Sequence, residues 1–227
     1  IIFGFFLVAI MTILQLSLIW AVILTIIFIL IQYLIGPCIV RASTRLRYLN
    51  EGENPWLEST VKDLAQKSGI PSPRLAVVPN ETPNAFVFGR TTGDATLAVH
   101  EGLLRQLNKD EVQGVIGHEL GHIRHRDFLV MTALSALPLL AYLTARITFE
   151  AAWWSGRTSR KKEGGGMGAA LFAVAVVSYI VYIISLLGVM RLSRLREHYA
   201  DSYSAYVTGS PKQLSSALTK ITYGLSL

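Results

Sequence analysis

Three charge-poor apolar stretches limit what this chain can fold into. Residues 1–35 carry no charge, residues 128–149 carry only Arg146, and residues 167–190 carry none. A helix crossing a ~30 Å hydrocarbon layer needs about 20 predominantly apolar residues, and each stretch is that long. As a single helix, residues 1–35 would run roughly 50 Å. We therefore expect a break near residues 11–17 and a complete span over residues 14–35. Pro138 predicts a kink in the second stretch, and Trp153 and Trp154 beyond it suit a membrane interface. Composition agrees: 52% of residues are hydrophobic, 16% are charged, and mean hydropathy is +0.44. The expected fold class is a mainly α membrane protein with a small β-sheet.

The net charge of +6 raises nucleic acid as a partner. No basic stripe interleaved with aromatics supports it, so nucleic acid is excluded. The basic residues flank apolar runs instead, which makes the lipid bilayer the partner of the charge. A single cysteine, Cys38, rules out a disulfide within the chain, and we expect a buried, inert thiol there. The chain opens at Ile1 inside apolar sequence, so we expect a piece of a longer protein with its first span cut.

Residues 41–127 differ in character. "PWLESTVKDLAQKSG" places Leu57, Val61, Leu64 and Ala65 on one face of an amphipathic helix, with Gly69 as its stop. "RLAVV", "NAFVF" and "ATLAV" read as short strands between turns, and "EGLLRQL" as a helix. Asn108 with Glu111 three residues on forms a capping box that opens a further helix. The expected organisation is an N-terminal membrane region (1–36), a soluble catalytic part (41–127), a transmembrane hairpin (128–190) and a polar C-terminal part (191–227). In the last of these, "RLSRLREHYADSYSAYVTG" makes a polar helix after Met190, and Ser210 with Pro211 opens another.

That further helix carries "GHELGHIRHRD", with three of the chain's five histidines. His118-Glu119-Leu120-Gly121-His122 is the HExxH pattern. Its i, i+4 spacing stacks both imidazoles on one helix face, where both can reach one ion. Zn²⁺ suits imidazole and carboxylate ligands. Glu119 lies about 100° round from His118, placed to take a proton from a water that the metal acidifies.

A catalytic zinc site keeps three protein ligands and an open position. His125 is on the same face, but along one straight helix it lies ~10.5 Å from His118. "IRHR" offers no glycine to break that helix. Glu197, in "SRLREHYAD", is the better candidate. Asp201 follows it at i+4, so one carboxylate can bind the ion while the other orients a ligand histidine. An ion pair between Glu197 and Arg194 or Arg196 is the competing reading. Two spans lie between His122 and Glu197, and an even number of crossings returns the chain to the same side. Basic residues flanking that side, from Arg41 to Arg196, outnumber Arg157, Arg160, Lys161 and Lys162 in the intervening loop. The count predicts an active site facing the cytoplasm.

"NAFVFG", "GVIGHELGHIRHRD" and "SRLREHYADSYSA" together resemble the HtpX and CAAX-prenyl-protease superfamily of membrane zinc metallopeptidases, with the greater likeness to HtpX. The resemblance implies a zincin-like (gluzincin) catalytic domain and one Zn²⁺ per chain held by His118, His122 and Glu197. It also implies Glu119 as general base and Asp201 as the residue orienting His118. It assigns Asn84, Ala85 and Phe86 to the strand that edges the substrate cleft, where an extended polypeptide can add as a further strand. The implied activity is a membrane endopeptidase of the plasma membrane, multi-pass, cleaving polypeptides in membrane-protein quality control and the stress response. The alternatives are a CAAX prenyl-protein endopeptidase and a non-catalytic membrane protein with a structural metal. HtpX-like chains continue into an "HP"-containing segment that this sequence lacks after Leu227, so an oxyanion-stabilising group from there would be missing here.

Overall fold

The structure, a computed structural model, describes residues 18–158 and 165–224. The break expected at residues 11–17, the first turn of the expected span from residue 14, and Arg160, Lys161 and Lys162 lie outside the described residues. The elements run α1 (Leu18–Thr44), β1 (Arg47–Tyr48), α2 (Pro55–Lys67), β2 (Arg74–Val78), β3 (Ala85–Phe88), a 3₁₀ turn (Thr92–Asp94) and β4 (Thr96–His100). They continue with α3 (Glu101–Gln106), α4 (Lys109–Arg124), α5 (Asp127–Thr158), α6 (Gly165–Thr208) and α7 (Pro211–Gly224). The mainly helical architecture with one small sheet agrees with the expected class. Among the described residues, 18–32 and 131–192 form one compact unit, and 33–130 with 193–224 form another.

In the first unit, α5 and α6 pair through small and aromatic side chains. Ala141 and Val181 are buried against Tyr182, and the Tyr142 and Tyr182 rings lie 5.5 Å apart. Outward-facing side chains are apolar, including Ile147 at 65% exposure, Phe172 at 52% and Leu187 at 59%. Both helices are long and apolar enough to cross a membrane. Only 22% of each apolar window is buried, and an exposed apolar surface of this kind marks contact with a membrane or with another protein. Pro138 sits inside α5 without ending it. Trp153 and Trp154 are exposed near its far end.

Two expectations about helix ends change. α1 continues through Pro37 to Thr44 rather than stopping at residue 35, and Cys38 on it is exposed, not buried. Its neighbours Leu34, Ile35 and Ile39 are exposed too, so the thiol stands among surface residues. α6 is one uninterrupted helix of 44 residues, where a separate polar helix was expected after Met190. Between Gly188 and Glu197 the sequence "VMRLSRLR" holds no glycine or proline to stop the helix. Polar residues extend a helix as readily as apolar ones.

The second unit is built on a four-stranded sheet of order β1-β2-β4-β3. β2 and β4 run parallel with Ala76 opposite Ala98, while β1 and β3 are antiparallel edge strands. Alternation along β4 sends Leu97 and Val99 to one face and Ala98 to the other. The first face packs under α2 and α4 in a core with Leu57, Val61, Leu64, Ile116, Leu120 and Ile123. Leu57, Val61 and Leu64 are fully buried and Ala65 nearly so, as the amphipathic pattern requires. Burial of each large aliphatic residue contributes roughly 1.5–3 kcal/mol. The other face of the sheet covers Ala76, Val78, Phe88 and Ala98 with Val40, Leu46 and Tyr48. Gly69 ends α2 with φ +62°, a left-handed conformation that costs glycine nothing.

Candidate active site

α4 begins with the capping box. Asn108 accepts from the Glu111 backbone N–H, and the Glu111 carboxylate accepts from the Asn108 backbone N–H, both at 2.9 Å. Leu120 and Ile123 anchor the helix to the sheet, which turns the His118 and His122 face away from it. A third face of α4 is stripped to backbone at Gly114, Gly117 and Gly121. A Cβ on Gly114 would meet the Leu214 nitrogen at 2.6 Å, and one on Gly117 would meet Ser204 Oγ at 3.2 Å. Ser204 in turn donates to the Gly114 carbonyl at 2.6 Å. The spacing of these glycines was readable in the sequence, yet nothing there said what they would face. They let the polar end of α6 lie directly against α4, and that contact brings Glu197 to the histidines.

The donor atoms converge. His118 Nε2 and His122 Nε2 are 3.2 Å apart. Glu197 places its carboxylate oxygens 3.5 Å from His118 Nε2 and 3.9 Å from His122 Nε2. One ligand atom from each of the three residues fits within 4.8 Å of the others. Tetrahedral bonds of 2.0–2.1 Å to zinc imply ligand–ligand distances of about 3.3 Å, so the donor set and its spacing fit that ion. Burial, then the neighbouring His122, hold the His118 imidazole below its ordinary pKa against the pull of Asp201 and Glu197. A neutral imidazole is the form that binds a metal.

Glu119 is 7% exposed. Burial pushes its carboxyl up to about 8; His122 opposes that rise, Glu197 adds to it, and the Val87 backbone N–H that donates to the carboxylate opposes it. Val87 belongs to β3, so the edge strand and the buried acid are in direct contact. Ala85 and Phe86 lie on that strand, paired with β4 on one side only among the described residues. Asn84 just precedes it, exposed, with its carbonyl accepting from His100 N–H at 2.9 Å. The loop after β3 is clamped to α1, since Tyr33 donates to the Arg90 carbonyl at 2.9 Å and Arg90 donates to the Leu34 carbonyl at 3.2 Å.

Asp201 Oδ1 lies 2.9 Å from His118 Nδ1, though the two are not aligned for a hydrogen bond. His122 Nδ1 lies 2.7 Å from Asp127 Oδ2. Reading the sequence missed Asp127, because five residues separate it from His122 and no continuous helix brings that pair together. The expectation that "IRHR" cannot break the helix also fails in part. α4 ends at Arg124, and Arg126 takes φ +56° with no glycine present. The break falls beyond His125, which stays off the metal face with its ring edge-on to Tyr203 at 5.6 Å. His198 is exposed. His100 ends β4 as the N-cap residue of α3, and its Nδ1 lies 2.8 Å from the Thr82 carbonyl oxygen.

An HExxH face, a carboxylate supplied by a second helix and an apolar helical pair define the class of a membrane metallopeptidase. Comparison with known proteins specifies it further. Residues 51–225 match the model of peptidase family M48. The chain is 39% identical to a protease HtpX homolog of Methanothermobacter thermautotrophicus over 87% of its own length and 71% of the relative's. It is 40% identical to one from Thermococcus sibiricus over 86% and 66%, and 38% identical to one from Methanocaldococcus jannaschii over 91% and 72%. A crystal structure of S. mikatae Ste24p shares the fold, with TM-score 0.61 and 21% identity, over 97% of this chain and 54% of that one. The chain belongs to peptidase family M48.

Proposed function

We propose that the chain is the catalytic portion of a zinc-dependent, multi-pass membrane endopeptidase with a zincin-like site, acting on membrane proteins from the cytoplasmic side in their quality control. The convergence of His118, His122 and Glu197 within one metal's reach, beside buried Glu119, carries this reading. Three donors leave a fourth position for water or substrate, where a structural zinc would be closed by a fourth residue. That weighs against a non-catalytic metal site among the described residues.

In this mechanism His118, His122 and Glu197 would hold one Zn²⁺ and Asp201 would orient His118. When bound, the ion would supply Lewis acidity toward the peptide carbonyl and a water, and its positive charge would favour the carboxylate form of Glu119. Glu119 takes a proton from the attacking water on a carboxylate oxygen and delivers it to the leaving amine nitrogen. An extended substrate lies along the free edge of β3, bonded main chain to main chain, with Asn84, Ala85 and Phe86 flanking it. Burial around Glu119 keeps bulk water from competing for that proton.

The test is cleavage of casein and of a membrane protein by the zinc-loaded chain. Glu119→Gln should retain zinc and lose at least ~10²-fold in rate; undiminished cleavage by that variant sinks the mechanism. A farnesylated peptide cut in preference to both substrates would transfer the reading to a prenyl-protein endopeptidase.

A further inference from the structure

Each histidine of the HExxH face has a carboxylate at its Nδ1, and the two carboxylates come from opposite ends of the site. Asp201 on α6 serves His118. Asp127, the first residue of α5 and 8% exposed, serves His122 at 2.7 Å through Oδ2. The other oxygen of Asp127 is held by the Arg196 guanidinium, which also donates to the His125 carbonyl at 3.0 Å. Arg196 directly precedes Glu197. The arginine is therefore fixed to the same turn of α6 that offers the third donor. The left-handed turn at Arg126 folds the chain back so that Asp127 reaches the ring.

A ring that gives its Nδ1 proton to a carboxylate keeps its lone pair on Nε2. For His122 that is the atom facing His118 Nε2 and Glu197. We propose that Asp127 and Arg196 are positioning residues for His122. Asp127 sets its tautomer and ring orientation, and Arg196 locks Asp127 to the helix that carries Glu197. The chain would thus hold each metal-binding histidine by its own carboxylate, with the His122 carboxylate tied to the third ligand's helix. This rests on the reading that the site binds zinc.

Zinc affinity of the detergent-purified full chain, measured by competition with a chromogenic chelator, tests it, alongside thermal unfolding of the metal-free protein. Asp127→Asn should weaken zinc binding by about 10–100-fold while the metal-free protein unfolds near the wild-type temperature. Arg196→Gln should weaken it by a smaller factor, and Arg196→Lys should recover part of that loss. A loss of zinc binding matched by an equal loss of stability in the metal-free protein would show a merely structural role and overturn the proposal. So would Asp127→Asn binding zinc within about twofold of wild type. If wild type binds zinc and His118→Ala abolishes it while Asp127→Asn is silent, this inference alone falls. If wild type binds none, the metal reading falls with it.

Discussion

Gly121 of α4 stands against Ala200 of α6 so closely that a methyl group on Gly121 would lie 3.2 Å from the Ala200 Cα. Ala200 is three residues past Glu197, so this contact sets how near the third donor comes to the histidines. Gly121→Val should push α6 outward and weaken zinc binding at least ~10-fold, since displacements of about 1 Å at a site carry costs of that order or more. Gly114→Ala, facing the Leu214 nitrogen, should instead cost stability by about 1–3 kcal/mol. Chelator competition and denaturant unfolding separate the two effects. Wild-type affinity in Gly121→Val would refute the positional role.

Glu197 and His125 make opposite predictions. Glu197→Ala removes a donor that faces both imidazoles and should abolish zinc retention through dialysis. His125→Ala removes a ring seated on Tyr203 and should leave metal content unchanged. Metal analysis of both purified variants checks this, and the reverse pattern would make His125 the ligand.

Arg126 holds φ +56°, a region that costs a side-chain-bearing residue roughly 1 kcal/mol relative to glycine. Arg126→Gly should therefore stabilise the protein by about 0.5–1 kcal/mol, less whatever the guanidinium contributes at the surface. Thermal unfolding reads this, and a clear destabilisation would show that the arginine side chain is itself needed.

Glu111 predicts a pH dependence. Burial pushes its carboxyl up, but hydrogen bonds from Lys220, Ser216 and the Asn108 backbone outweigh that and hold it below the usual carboxylate range. Lys220 and Ser216 reach it from α7 at 2.8 and 2.7 Å. A lowered folded pKa contributes stability that is present above the unfolded value of about 4.3 and lost as pH falls through the folded one. Glu111→Gln should cost about 1–2 kcal/mol at pH 7, and the difference from wild type should shrink to nothing in acid. A gap that stays constant with pH would assign the effect to packing.

Where a side chain's role follows from its own segment, sequence was enough to find it. The capping box at Asn108 and Glu111, the buried face of Leu57, Val61 and Leu64, and the stacking of His118 over His122 are all spacing within one helix. β1 was invisible because two residues carry no period. The extent of α6 was missed because an apolar-to-polar change at Met190 looks like a boundary but leaves the backbone free to continue. Asp127 and the glycine face had no local signal of their function. Asp127 reaches His122 only across a left-handed turn, and Gly114, Gly117 and Gly121 matter only because α6 and α7 arrive against them. The exposure of Cys38 belongs to the same group, since what surrounds a thiol is decided by the fold.

His122 and Glu197 are separated in sequence by α5 and the apolar length of α6, so an ion shared between them would act as a cross-link. Unlike a disulfide, it would not restrict the unfolded chain, where a long loop must be closed before both donors can bind; it would stabilise by binding the folded chain alone. Stripping it would then open a fastener as well as empty a site. Residues 193–224 would lose one of the ties that hold them to α4, and the glycine face beneath them would be the surface uncovered.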